Sequence, residues 1–442
     1  MTFVADLLAT VSRRSRELIG WQPASPRPRR PGEIVALART LLSQRGEASG
    51  VALAREILDG FRALDAEGRT AVLVEFAEAF GADQARLDAA IAAYQADPGP
   101  ATAAGLHLAA EPRRQELIRR LNLAPNGTQD LVRLREDVLD RLGAHAGLKL
   151  LDADLVHLFS SWFNRGFLVV KRIDWSTPAN ILEKIIRYEA VHAIRDWDEL
   201  RRRLEPEDRR CYAFFHPQLD DEPLIFVEVA LTADIPAAIA PLIAEGGPAM
   251  PADEARVAVF YSISNCQKGL SGISFGSFLI KQVVAELKRD LPRLTTFVTL
   301  SPVPGFAAWL KTERRTETGF LLDDERSLLA ALDEPDWRAD PGRTQRVDKV
   351  LARAAARYLL TAKTTGNRPL DPVARFHLGN GARLERINPG ADLSEAGLRQ
   401  SHGVMVNYLY DLARIEDNHE AYAERREVVA SGAVRKLSER KG

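Results

Sequence analysis

Two cysteines in 442 residues, Cys211 and Cys266, are too few for a disulfide framework, and without CxxC spacing they offer no zinc site. A reducing compartment suits such a chain. Cys266 lies beside a glycine turn but has no histidine near it in sequence, so it reads as a small apolar filler against a sheet. An excess of charge of either sign is also lacking. Sixty Lys and Arg against 61 Asp and Glu leave a net charge of -1, which argues against a dominant surface for nucleic acid or anionic lipid. Basic runs such as Arg201 to Arg203 are interleaved with acids and read as a solvated helix face. Long hydrophobic runs are missing as well: the most apolar stretch, FVEVALTADIPAAIAPLIA, carries Glu228, Asp234, Pro236 and Pro241, so no membrane span is expected. The N-terminal segment has no signal-type apolar core, and Asp6 and Glu17 count against a transit peptide; the expected compartment is cytoplasmic.

What is present describes an ordinary globular chain, with 46% hydrophobic and 27% charged residues and room for two or three domains. Residues 22–32, QPASPRPRRPG, read as a linker. From Glu33 to about Leu142 successive helices are expected. Ala54, Ile57, Leu58, Phe61 and Leu64 mark one apolar stripe, and Val72, Val74, Phe76 and Phe80 the next. Thr128 stands where an N-cap would open the helix QDLVRLREDVLDRL. No fixed period repeats, so the region reads as a bundle. The texture changes at Phe167: FLVVKRI, CYAFFHP, PLIFVEVALT, VAVFYSIS and LTTFVTL are strand candidates, with the helical NILEKIIRYEAV among them. Beyond Phe306 helices return through Lys363. TTGNRPLDPVARFHLGNGA then reads as a loop, and a helix-forming segment runs from about Leu393 to Val429. The chain is thus expected to be α+β: an all-helical N-terminal bundle, residues 1–165, then a mixed sheet flanked by helices, residues 166–442.

The most informative stretch joins two of these strands. VAVFYSIS is followed by a glycine-rich turn (Gly269, Gly272, Gly276), an amphipathic helix from Gly276 to Arg289, and LTTFVTL, which stops at Ser301 before Pro302 and Pro304. Strand, glycine turn, helix is the layout in which backbone N–H groups at a helix N-terminus face a phosphate. Ser271, Ser274 and Ser277 are small, and no acidic side chain falls between Gly269 and Lys281, so an anion would meet little repulsion. The spacing matches neither a dinucleotide fingerprint nor a Walker A loop, and a plain strand-to-helix connection stays open on these residues alone. Ser301 reads equally as a turn or helix cap, and no Gly-x-Ser-x-Gly surrounds it, so a hydrolase nucleophile is unsupported. His377, among Gly379, Asn380 and Gly381, sits in a setting more usual for a catalytic loop than for a packed core.

FYSIS, GLSGISFGSFLIK, LSPVPGF, RFHLGNGA and GVMVNYLYDL, in this order, resemble the malonyl-CoA decarboxylase family from about Phe167 to Tyr410, and more loosely through the helical N-terminal third. The resemblance implies a helical N-terminal domain and a catalytic domain similar to the GNAT-type N-acetyltransferases. It also implies conversion of malonyl-CoA to acetyl-CoA and carbon dioxide with no metal or organic cofactor, and a homotetramer. By the same resemblance His377 matches the family's proton donor and Ser301 its partner serine. Ser271, Gly272, Ile273, Ser274, Phe275, Gly276 and Ser277 match the acyl-CoA-contacting segment, where relatives often have glutamine in place of Ser271. Neither nucleic acid nor membrane is an expected partner.

Two other functions fit parts of this pattern. An acyl-CoA-dependent N-acyltransferase would need an acceptor amine and a base beside it, and no convincing base stands out. A non-catalytic acyl-CoA-binding regulator would not need both Ser301 and His377. The other histidines (His107, His145, His157, His192, His216, His402 and His419) lack metal-ligand spacing and read as structural or exposed. Tyr408, in NYLY, could line a pocket but reads first as an aromatic helix contact.

Overall fold

Among the described residues no strand precedes Val169. The computed structural model describes residues 29–43, 46–244, 249–273, 279–316, 319–334 and 336–439, so most of the expected linker lies outside it. The chain divides into two compact units. One comprises residues 1–168 with two excursions, 216–220 and 267–275; the other comprises 169–215, 221–266 and 276–442.

Eight helices fill the described part of the first unit: α1 (Pro31–Ser43), α2 (Glu47–Ala63), α3 (Ala66–Ala79), α4 (Gln84–Ala96), α5 (Pro100–Ala110), α6 (Arg113–Asn122), α7 (Gly127–Arg141) and α8 (Leu148–Trp162). Of the expected stripes, Ala54, Ile57, Leu58, Phe61, Val72, Phe76 and Phe80 are buried, joined by Leu73, while Leu64 and Val74 are half-buried. Asp65 and Asp83 cap α3 and α4 by accepting the backbone N–H three residues on. The cap expected of Thr128 is a correction. α7 begins one residue earlier behind left-handed Asn126, and the Thr128 hydroxyl donates to Asn122 Oδ1 at 2.8 Å instead.

The second unit is built on one mixed sheet. In chain order its elements are β1 (Val169–Ile173), α9 (Ala179–Tyr188), α10 (Trp197–Leu204), β2 (Arg209–Phe215), β3 (Pro223–Thr232), α11 (Ala240–Ile243), β4 (Val257–Asn265), α12 (Leu279–Asp290), β5 (Thr296–Thr299) and β6 (Ser301–Pro302). Then come α13 (Phe306–Glu313), α14 (Asp323–Leu329), α15 (Pro341–Thr361), α16 (Pro372–Gly379), β7 (Arg383–Asn388), α17 (Glu395–Ser401), β8 (Met405–Leu409), α18 (Ile415–Arg425) and α19 (Gly432–Ser438). β1 to β4 form an antiparallel meander, and β5 pairs parallel to β4 across the α12 connection. This is the mixed sheet flanked by helices that the sequence leads one to expect. β8 takes β5 and β6 on one edge and β7 on the other.

Two expectations fail here. The segment from Leu393 to Val429 is not continuous helix: β8 lies in its middle, because VMVNYLY spends its apolar residues on a sheet position, not on a helical stripe. The loop expected before residue 382 contains α16. Asp371 caps that helix by accepting the Ala374 N–H at 2.7 Å, and Pro372 occupies its first turn, where a missing N–H costs nothing.

Candidate active site

β4 and β5 stay paired only as far as Phe260 and Thr299, with the Leu300 N–H donating to the Phe260 carbonyl at 3.0 Å. Past that point β4 continues against β3 alone, while Ser301 and Pro302 pair with Val406 and Met405 of β8. Ser301 therefore stands where two parallel strands part, a position at which sheets of this kind expose their ligand crevices. Pro302 does not end the pairing; it is the last residue of a two-residue strand.

Between the Val298–Leu409 pair and the Ser301–Val406 pair, side chains take over the ladder. The Tyr408 backbone N–H donates to Thr299 Oγ1 at 3.1 Å, and Asn407 Nδ2 donates to the Thr299 carbonyl at 2.8 Å. Asn407 is fully buried, and its Oδ1 accepts from Arg386 Nε at 3.0 Å and from Asn388 Nδ2 at 2.8 Å. With a second donation from Nδ2 to the Pro236 carbonyl at 3.4 Å, the Asn407 side chain has every hydrogen-bonding position used. The Ser301 hydroxyl donates to Thr299 Oγ1 at 2.8 Å.

His377 reaches the same spot from α16. Helix α16 ends at Asn380, and Gly381 follows with φ +81, where a side chain would meet the Ile415 carbonyl at 2.1 Å; only glycine fits that approach. His377 is buried, 3% exposed, and the flexible loop expected around it is a helix. Its ring stacks on Tyr408 at 4.6 Å and 25°. Nε2 lies 3.1 Å from Ser301 Oγ, and Nδ1 lies 2.8 Å from the Tyr410 hydroxyl. Burial pushes the imidazole down to about 3 and the phenol of Tyr410 far up, so both are neutral around pH 7.

These contacts fix where the hydrogens sit. Ser301 gives its only proton to Thr299, so Nε2 must carry the hydrogen of the Nε2–Oγ bond. Nδ1, bare in that tautomer, accepts from Tyr410. One run of donors results: Tyr410 O–H to Nδ1, Nε2–H to Ser301, Ser301 O–H to Thr299. Both hydrogens at the Ser301–His377 contact are in use, so a bound anion receives one only by drawing Ser301 O–H or Nε2–H away from its present acceptor. The run is poorly arranged to strip a proton from Ser301, in keeping with the missing nucleophile elbow.

The two residues singled out in sequence are thus brought together. Thr299, Asn407 and Tyr410 were not singled out, and the aromatic helix role first read for Tyr408 gives way to a strand position against His377. An alternation of period two in VNYLY, which puts Tyr408 and Tyr410 on one face, was the available signal.

The glycine turn is only partly described. Ser274, Phe275, Gly276 and Ser277 lie outside the described residues. Ser271, Gly272 and Ile273 follow a 3-10 turn, Lys268–Leu270, with Gly272 at φ +78. The N–H groups of Leu270, Ser271 and Ile273 donate to carbonyls within the turn, and Gly269 N–H donates to Glu136. Arg135 of α7, itself buried, donates to the carbonyls of Gly269 and Ser271 at 2.7 and 2.8 Å. The side chain of Cys266 is buried together with Cys211, and burial raises both thiols well above their ordinary value, as suits filler and not nucleophile.

Residues 166–442 match the model of the malonyl-CoA decarboxylase C-terminal domain, and residues 80–163 match that of the N-terminal domain. Malonyl-CoA decarboxylase of Rhodopseudomonas palustris, a crystal structure, is 60% identical with a TM-score of 0.90, covering 92% of this chain and 100% of that one. The enzyme of Agrobacterium vitis is 59% identical, with a TM-score of 0.88 over 92% of this chain and 100% of its own. The mitochondrial malonyl-CoA decarboxylase of Anser anser anser is 36% identical over 413 residues, 86% of this chain and 82% of that protein.

Proposed function

The chain belongs to the malonyl-CoA decarboxylase family and converts malonyl-CoA to acetyl-CoA and carbon dioxide; we propose that Ser301 and His377 are the residues that carry the reaction. The observation behind this reading is their 3.1 Å contact in a buried, uncharged setting at the parting of β4 and β5. Decarboxylation of a malonyl thioester asks for a carboxylate held roughly perpendicular to the thioester carbonyl, so that the breaking bond feeds the enolate. Donors aimed at the enolate oxygen are worth roughly 3–4 kcal/mol each. A positioned acid that protonates the new carbanion adds about 10²–10⁴ in rate.

In this reading the Ser301 hydroxyl and the Nε2–H of His377 face the malonyl end. After carbon dioxide leaves, the Nε2–H bond breaks as the α-carbon–hydrogen bond forms, leaving an imidazolate whose Nδ1 accepts from the Tyr410 hydroxyl, and a solvent proton restores Nε2–H before the next turnover. A neutral imidazole is acidic enough for this task, because a thioester carbanion is far more basic. The segment Ser271, Gly272, Ile273, Ser274, Phe275, Gly276 and Ser277 would hold the coenzyme A pyrophosphate.

Purified protein with malonyl-CoA and no acceptor is the direct test. Ser301→Ala and His377→Asn are each expected to lower kcat by about two orders of magnitude or more with an unchanged melting temperature. Near-normal turnover in either variant removes that residue from the mechanism.

Self-association through the helical unit belongs to the same reading. α4 has no buried residue and α5 only Ala109, which leaves Ile91, Tyr94 and Leu108 exposed among alanines. Light scattering of Ile91→Glu/Tyr94→Glu should report a smaller assembly than the parent chain; an unaltered mass would clear these helices of the role.

A further inference from the structure

We propose that Thr299 is a positioning residue for the Ser301–His377 pair, setting the direction in which their hydrogen bonds run. This rests on the catalytic reading of Ser301 given above. Thr299 and Ser301 are two apart on one strand path, so their side chains leave the same face. Thr299 is fully buried, and its Oγ1 is pinned by the Tyr408 backbone N–H at 3.1 Å while its carbonyl is pinned by Asn407 Nδ2 at 2.8 Å. The atom that receives the Ser301 proton is therefore held by the sheet on two sides. Hydroxyls rotate, and with no acceptor at Thr299 the Ser301 O–H would turn to the next one within reach, Nε2 of His377 at 3.1 Å. That rotation forces the opposite tautomer. Nδ1 would then carry the hydrogen and donate to the Tyr410 oxygen, and Nε2 would have no proton to give. Thr299 prevents this without touching the substrate. The neutral state of His377 makes the control necessary, because a neutral ring has a single N–H to place.

The experiment is a double-replacement cycle on the full chain, read as kcat and KM for malonyl-CoA. Thr299→Val keeps the shape and removes the acceptor; it should lower kcat about tenfold or more with KM unchanged. Thr299→Ser should recover most of the rate. Because both variants act through Ser301, Thr299→Val should add little in a Ser301→Ala background, whereas a merely structural residue would add its full effect. Thr299→Val also strands the Tyr408 N–H, so near-UV circular dichroism checks the fold, and Thr299→Ala, which leaves room for water at that N–H, is run beside it. A second readout is the ¹⁵N shift of His377 by solid-state NMR, identified by its loss in His377→Asn: the parent should carry hydrogen on Nε2, and Thr299→Val should move it to Nδ1.

The outcomes separate cleanly. If Ser301→Ala turns over normally, the catalytic reading of Ser301 falls and this proposal with it. If Ser301→Ala is impaired while Thr299→Val keeps its rate, or loses it additively, the proposal alone is overturned. An unchanged His377 tautomer in a folded, slowed Thr299→Val or Thr299→Ala also overturns it.

Discussion

The second unit buries two polar networks that differ in kind. Under β3, Arg203 donates to Glu228 at 3.0 Å and to Glu199 at 2.9 Å, with Arg203 and Glu228 almost wholly out of water. Between β5, β8 and α16, the linked side chains of Thr299, Ser301, His377 and Tyr410 are hydroxyl, imidazole and phenol, none of them charged at neutral pH. The charged network is rigid because any change of partner strands an ion in a low dielectric. The neutral network can turn its hydroxyls and exchange donor for acceptor without stranding an ion. In this protein buried charge holds shape, and buried neutrality leaves hydrogen bonds able to reverse.

Breaking the charged network should have the largest effect. Arg203→Met leaves Glu228 without its counter-ion and is expected to cost about 3–5 kcal/mol in denaturant unfolding. Replacing Arg203, Glu199 and Glu228 together by apolar residues of similar size should restore much of that loss. A single Arg203→Met that unfolds like the parent would show that the network is not what holds β3.

A smaller effect sharpens the contrast through pH. The folded imidazole of His377 is pushed down to about 3, while the unfolded one protonates near its ordinary 6.5. Below pH 6.5 the unfolded chain therefore binds one more proton here, and His377 contributes a loss of stability of about 1.4 kcal/mol per pH unit on the way down. His377→Asn should flatten part of that slope; His192, His216 and His402, lowered in the same direction by burial, keep the rest. Glu228 has the opposite sign. Burial first, and the Glu189 carboxylate second, push it up against the pull of Arg203, so its contribution is lost as pH rises. In turnover the corresponding expectation is that kcat between pH 5 and 8 has no limb from His377. A limb near 6.5 that disappears in His377→Asn would contradict the buried, neutral ring.

How much of this was legible in the sequence depended on how local each cause was. PLIFVEVALT is β3 from Pro223 to Thr232, because ten residues buried in a sheet announce themselves by composition. Ser301 drew notice because LTTFVTL ends abruptly against two prolines, but only the family resemblance raised it above a capping serine. β8 was missed because five residues after a glycine, in a helix-rich region, carry too short an alternation to outvote their surroundings. His377 was assigned to a loop because eight residues between prolines and glycines look like punctuation, although Asp371 with Pro372 spells a helix start. The partnership of Thr299 with Tyr408 could not be read at all, since 109 residues separate the bonded groups.

That separation governs how the molecule comes into being. Strand β8 supplies the amide that pins Thr299, the ring that backs His377 and, one residue on, the phenol at its other nitrogen. During synthesis the serine emerges long before the strand that aims it. A ribosome-bound chain that stops short of β8 holds Ser301 without the groups that aim it, so chemistry switches on only after Met405 to Tyr410 have emerged and paired.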